Sequence, residues 1–469
     1  MKIEQIYTGC LAQGAYYIES DGEAAIIDPL RETEPYMTKA EARGAKIKYI
    51  FETHFHADFV SGHIDLAEKT GAQIVYGPGA TTTYAKHDAK DGEEFKIGKV
   101  TVRVLHTPGH TMESTTFLLI DEEGKEHAIF SGDTLFIGDV GRPDLAQGAT
   151  GMTKEQLAGT LFDSLRTKIM TLPDDVLVYP AHGAGSACGK NMSKQTWDTL
   201  GNQKATNYAL RPDMTKEEFI AEVTDGILPP PQYFAANVKM NKTGYDSIDT
   251  VLERGTVALD PDTFEAIANH EGALVLDTRS ELDFVAGHIP NSIFIGIDGS
   301  FAPWVGAMIP DLEQAIIFIA PEGREEEVVT RLSRVGYDNT LGYLEGGIAA
   351  WKNAGKEVDT IAQVNATTTA ELAAQGANIL DVRKPSEFEA EHVKGARNLP
   401  LDFINENFTA LDPNETWYVH CAGGYRSVIF QSILKARGYH NLIDVAGGFK
   451  ALAETEIEKT AYVCPSTLK

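Results

Sequence analysis

The chain has 469 residues, with 41 Lys and Arg against 68 Asp and Glu, for a formal net charge of −27 at pH 7. An apolar share of 43% beside 23% charged residues excludes general disorder, and the length suits about three domains at roughly 150 residues each. So acidic a chain, with no basic stripe, excludes nucleic acid and anionic membrane surfaces as partners, and no apolar run reaches the roughly 18 residues of a membrane span. Anionic small substrates stay compatible with this charge if a few cations line the site. The four cysteines, Cys10, Cys188, Cys421 and Cys464, are too scattered for a disulfide framework, and the N-terminus lacks a secretory apolar core. Both features point to a cytoplasmic, reducing compartment.

The first half reads as short apolar strands separated by turns and helices. Residues 16–18 and 24–27 flank Ser20-Asp21-Gly22-Glu23, a hairpin signal. Strand-like runs follow at IKYIFETH, QIVYG, VTVRVLHTPGH, TTFLLID, HAIFSGDTLF and VLVYPAHG, and four of these end on or just before His or Asp. Strand ends are where side chains from separate strands converge at one sheet edge. The stretch Leu228-Pro229-Pro230-Pro231 and the polar run after it close this unit near residue 250. An internal repeat comes next. ALVLDTRSELDFVAGHIPNS (273–292) parallels NILDVRKPSEFEAEHVKGAR (378–397), and LEGGIAAW (344–351) parallels VAGGFKAL (445–452). Each copy reads strand, helix, strand, loop, helix, strand, so the pattern predicts domains over 1–250, 254–358 and 362–469, the last two with parallel α/β sheets.

The strongest chemical signal is Thr53-His54-Phe55-His56-Ala57-Asp58, joined by Thr107-Pro108-Gly109-His110, Ser131-Gly132-Asp133-Thr134 and Pro180-Ala181-His182-Gly183. Neutral imidazoles and carboxylates suit borderline metals such as zinc or iron. These four motifs resemble the metallo-β-lactamase superfamily, which implies an αββα sandwich. The superfamily's H-x-H-x-D-H signature ends here on Phe59, and a phenyl ring cannot ligate a metal. The resemblance then leaves one mononuclear non-haem Fe(II) on His56, His110 and Asp133, with His54, Asp58 and His182 orienting ligands or water around it. Gly141-Arg142-Pro143-Asp144-Leu145 resembles the persulfide dioxygenase branch, where Arg142 pairs with an acidic group near the site. Cys188, six residues after His182, is expected near the metal mouth, as a buried thiol or as a persulfide relay.

A second signal lies in 362–469. The strand 417–420 runs into Cys421-Ala422-Gly423-Gly424-Tyr425-Arg426-Ser427 and then an apolar helix. Two glycines let successive N–H groups of the loop point at one spot, and the helix N-terminus adds positive partial charge, which favours a reactive thiolate and its persulfide. With Asp381-Val382-Arg383, Glu387-Phe388, His392 and Gly447-Gly448, the loop resembles rhodanese sulfurtransferases. That resemblance implies Cys421 as sulfur carrier and Arg426 as loop cation. The loop is one residue shorter than its counterpart in tyrosine phosphatases, which suits sulfur over phosphate. The first repeat has Pro321-Glu322-Gly323-Arg324-Glu325 at this place and no cysteine, so it reads as an inactive rhodanese-like unit acting as spacer or dimerisation surface.

The whole resembles bacterial fusions of persulfide dioxygenase with sulfurtransferase. It implies iron-dependent oxidation of a thiol persulfide by O2 to sulfite, then sulfur transfer from Cys421 giving thiosulfate, in a homo-oligomer. The thiol carrier stays open among glutathione, coenzyme A, bacillithiol and others. The alternative is a zinc-dependent thioester hydrolase of the glyoxalase II type fused to a sulfurtransferase.

Overall fold

Two six-stranded sheets organise the first half of the computed structural model, which describes residues 1–464. The first runs in order β1 (Lys2–Thr8), β2 (Gln13–Ser20), β3 (Glu23–Ile27), β4 (Lys46–Glu52), β5 (Gln73–Tyr76) and β6 (His87–Asp88). The β2–β3 hairpin turns on Asp21 and Gly22, both at positive φ, as the sequence signal requires. The second sheet runs in order β7 (Glu94–Ile97), β8 (Val100–His106), β9 (Thr115–Ile120), β10 (Glu126–Gly132), β11 (Leu177–Pro180) and β12 (Asp198–Thr199). Alternation decides what each face does. Tyr16, Ile18, Ile27 and Phe51 of the first sheet meet Val102, Val104, Phe117 and Phe130 of the second in one core. The opposite faces pack under helices: Tyr17, Ile26 and Ile50 against Tyr36 and Leu66, and Leu118, Ile129 and Val178 against Ala158, Leu161 and Leu165. This is the αββα sandwich.

The second half holds two five-stranded parallel sheets. One is ordered β13 (Ala258–Leu259), β17 (Thr340–Leu344), β16 (Ile316–Ile319), β14 (Leu274–Asp277), β15 (Ile293–Phe294). The other is ordered β18 (Gln363–Val364), β22 (Leu442–Val445), β21 (Trp417–His420), β19 (Asn378–Asp381), β20 (Arg397–Asn398), the same permutation. The repeat extends to side chains. Arg279 grips Asp277 and the Gly287 carbonyl, and Arg383 grips Asp381 and the Glu391 carbonyl. His288 and His392 each hydrogen-bond the carbonyl four residues back and stack on that same phenyl ring, at 3.9 and 3.7 Å. Asp381 and Arg383 therefore form a structural pair at a strand end.

The chain divides into two units, Met1–Ile248 with Ser333–Gly336, and Asp249–Leu332 with Tyr337–Lys469. Among the described residues no helix is long and apolar enough to cross a membrane.

Candidate metal centre and cysteine loop

Four loops that leave β4, β8, β10 and β11 bring their polar residues together inside the first unit. His54, His56, Asp58, His110, Asp133 and His182 are all buried. One ligand atom each from His54, His110 and Asp133 lies within 4.8 Å of the others. A second such group is His56, Asp58 and His182, and a third is Asp133, His182 and Cys188.

The outer hydrogen bonds set the direction of each imidazole. The Thr53 N–H and hydroxyl donate to the two oxygens of Asp28, both at 2.8 Å, so the hydroxyl oxygen is left to accept from His54 Nδ1 at 3.0 Å. His110 Nδ1 donates to the Arg142 carbonyl at 2.8 Å, and His182 Nδ1 to the Ala12 carbonyl at 3.3 Å. Each ring therefore keeps its proton outside and turns an Nε2 lone pair inward. Those nitrogens face Asp133 at 3.8, 3.4 and 3.6 Å. Neither Asp133 oxygen has a hydrogen-bond donor, and His182 Nε2 and Asp58 Oδ1 are likewise unpartnered. Buried lone pairs facing a buried carboxylate repel one another unless a cation sits between them. The donor set thus fits a divalent metal. Burial, reinforced by the neighbouring histidines, pushes His54 well below the usual imidazole range and keeps it neutral for ligation.

One expectation is corrected. The sequence reading joined His56 to His110 and Asp133, whereas the structure places His54 there. His56 stacks on Phe59 at 4.3 Å and turns Nε2 to Asp28 at 3.1 Å and Glu52 at 3.6 Å. Burial alone would lower its pKa, but the carboxylates of Asp28, Glu52 and Asp58 raise it to about 9. Two histidines spaced two residues apart on an irregular loop carry no periodicity that says which ring faces inward. Asp28 and Glu52 were not singled out in the sequence; the only signal was a carboxylate at the end of each of two apolar strands, IIDP and IFETH.

Arg142 and Cys188 are joined. The Arg142 N–H donates to the Cys188 carbonyl at 3.0 Å, and its guanidinium is shared among Asp144, the Ala187 carbonyl and the Leu228 carbonyl. A Cβ on Gly141 would lie 2.1 Å from the Asp133 carbonyl and 3.0 Å from His110 Nδ1, so only glycine lets this strap cross the site. Arg142 positions both His110 and the cysteine loop. Truncation to Ala keeps both backbone bonds and removes only the guanidinium's ties to Asp144, Ala187 and Leu228, so metal retention is expected to stay within about tenfold of the parent, read by metal content after dialysis against a graded chelator. The Cys188 thiol is held well above its ordinary range by burial and by Asp58 and Asp133.

His63, just beyond the metal loop, gives this unit an acid sensitivity. Burial, with His56 and Arg31 adding to it, lowers its pKa to about 3, against 6.5 for the free side chain. The unfolded chain binds that proton first, so stability is full above about pH 6.5 and falls progressively as pH drops towards 3, by up to about 1.4 kcal/mol per unit. Urea midpoints taken between pH 7 and 4 should decline, and the His63→Gln variant should decline less steeply.

In the second unit Cys421 follows β21 and is buried, while Ala422 and Gly423 are exposed beside it. The Gly424 N–H points at Cys421 Sγ from 3.1 Å. The Phe449 and Lys450 N–H groups, at the start of the 448–452 helix, hold the Cys421 and Ala422 carbonyls at 2.7 and 3.0 Å. Ser427 is fixed by Asp444 at 2.7 Å, and Tyr425 by the Gly296 carbonyl at 2.7 Å. Arg426 is engaged by Glu387 through two bonds of 2.6 and 2.9 Å, a partner the sequence did not assign to it. The first repeat's loop closes on its own acid side chains: the Gly323 N–H donates to Glu325, and Arg324 is held by Glu327 and Asp298. Cys10 is half-buried, Cys464 is exposed, and all four thiols are free of disulfides.

Comparison with known proteins agrees with this layout. The metallo-β-lactamase superfamily model matches residues 8–182, and the rhodanese-like domain model matches 260–354 and 365–455. The human mitochondrial persulfide dioxygenase ETHE1 is 32% identical over 221 residues, 47% of this chain and 78% of that protein. A cytoplasmic hydroxyacylglutathione hydrolase of Arabidopsis thaliana is 32% identical over 39% of this chain and 67% of its own length. A crystal structure of a metallo-β-lactamase from Staphylococcus aureus subsp. aureus COL is 32% identical, covers 73% of this chain and 98% of its own, and superposes with a TM-score of 0.64. With its αββα metal cradle and its duplicated α/β sheets, the chain belongs to the metallo-β-lactamase superfamily, as a fusion of a domain homologous to persulfide dioxygenases with two rhodanese-like domains.

Proposed function

We propose that the protein oxidises a low-molecular-weight thiol persulfide with O2 at one iron held by His54, His110 and Asp133, and that Cys421 carries sulfur to the sulfite formed. The observation that carries this reading is the buried pair of imidazole Nε2 lone pairs facing a donor-free carboxylate. Two histidines and one carboxylate would hold an iron with further coordination positions free for substrate and O2, the donor set of non-haem Fe(II) oxygenases. Iron supplies the site where persulfide sulfur and O2 are brought together. The chain's own residues orient the two histidines, His54 through Thr53 and Asp28 and His110 through the Arg142 carbonyl. The overall reaction takes RSSH, O2 and water to RSH, sulfite and two protons. In the second step the Cys421 persulfide passes its outer sulfur to sulfite, giving thiosulfate and the free thiolate. One chain holding both activities raises the local concentration of sulfite for that transfer. Cys188, buried beside Asp133 and His182, is the thiol nearest the metal site.

Similarity to the hydroxyacylglutathione hydrolase supports the alternative, thioester hydrolysis on zinc. Phe59 favours the dioxygenase, because it fills with a buried phenyl ring the place of a second-metal histidine. The test is O2 consumption by Fe(II)-loaded protein given a small-molecule persulfide, beside thioester cleavage by zinc-loaded protein. Rapid O2 uptake with no cleavage supports the dioxygenase; cleavage without uptake overturns it. Phe59→His should also raise bound metal from one ion per chain to two, counted by elemental analysis, since it adds an imidazole to the His56, Asp58 and His182 group.

A further inference from the structure

Tyr425, in the Cys421 loop, reaches out of its own repeat. Its hydroxyl donates to the Gly296 carbonyl at 2.7 Å, and its ring meets Phe294 edge-on at 5.6 Å. Burial pushes the phenol up, so it remains a donor. The 296–299 turn is shaped for that ring. A Cβ on Gly299 would sit 2.3 Å from the Tyr425 ring carbon and 2.5 Å from its oxygen, and one on Gly296 3.1 Å from the ring. Neither glycine has a positive φ, so space rather than backbone conformation demands glycine there.

The turn is itself braced. Arg331 donates to the Ile297 carbonyl at 2.7 Å, and Arg324 pairs with Asp298 at 2.7 Å. Arg324 belongs to the loop that has no thiol. Along the same helix that starts at Tyr425, Ser432 accepts from the Phe294 N–H at 2.9 Å and Lys435 pairs with Asp359 at 2.7 Å. The contact between repeats thus extends along this helix and ends at its tip, Tyr425, four residues after Cys421. Tyr425, Arg426 and Ser427 tie the loop to three different elements, and only the first belongs to the other repeat.

We propose that Tyr425 is a positioning residue, through which the 296–299 turn of the thiol-free repeat holds the Cys421 loop in the geometry that sulfur transfer needs. The first rhodanese-like repeat is then a working part of the second repeat's site. This rests on Cys421 as the sulfur carrier.

The full-length protein tests it in thiosulfate-to-cyanide transfer. There the Cys421 thiolate attacks the outer sulfur of thiosulfate and releases sulfite, then passes that sulfur to cyanide as thiocyanate. Tyr425→Phe should lower kcat about fivefold with KM for thiosulfate within about twofold of the parent. Gly299→Ala, which drives the ring from its seat, should lower kcat about tenfold or more, because catalytic rate falls steeply with misplacement of the reacting group. O2 consumption of Gly299→Ala with persulfide should match the parent. The proposal is overturned if kcat per folded molecule, normalised by thermal unfolding, stays within twofold in both variants. Should Gly299→Ala fail to fold, Tyr425→Phe decides alone, since it adds no bulk. Transfer that survives Cys421→Ser would overturn the sulfur-carrier reading instead, whatever the other variants do.

Discussion

Asp133→Asn should purify without iron and show persulfide-dependent O2 uptake reduced by more than about a hundredfold. Loss of an outer partner of a metal ligand typically costs about 10-fold to 100-fold in metal affinity or activity, and removing a ligand's charge costs more. Among the described residues Asp133 is the carboxylate that faces His54, His110 and His182 together, so an amide there leaves three inward lone pairs with no anion to share a cation. The histidines separate the two ligand sets. His54→Ala should abolish iron retention and O2 uptake as Asp133→Asn does. His56→Ala should keep one iron per chain, because His56 faces Asp28 and Glu52 rather than Asp133. Iron content and O2 electrode traces on the three variants check this. Iron lost from His56→Ala and kept by His54→Ala would reverse the assignment.

The second large effect is at Cys421. Cys421→Ser should lower sulfur transfer by about 10⁵-fold or more, since a hydroxyl at neutral pH is neither ionised nor able to carry a sulfane sulfur, and loss of a nucleophile removes the whole covalent route. O2 uptake should persist. Product analysis by chromatography should then show sulfite accumulating where the parent forms thiosulfate. Thiosulfate still formed at the parent's rate would place the second step elsewhere, with Cys188 the next thiol to replace.

Much of this was legible in the residues themselves. The strands of the first unit declare themselves by alternation, as in Tyr16, Tyr17 and Ile18, which face different cores. The duplicated sheets follow from repeated landmarks, because Asp277 with Arg279 and Asp381 with Arg383 are neighbours in the chain and pair locally. The thiol loop was legible for the same reason: its glycines, its cysteine and its helix start are contiguous. What the chain order could not reveal were choices between near-equivalent groups made by distant partners. His54 and His56 lie two residues apart on an irregular loop, and Asp28, Phe59 and the Arg142 strap decide which ring joins Asp133. Arg426 finds Glu387 from 39 residues away, and Tyr425 finds Gly296 from 129. Periodicity and local motifs report the forces acting within a turn or a strand. The direction of a buried side chain is settled by electrostatics and packing against whatever the fold brings beside it.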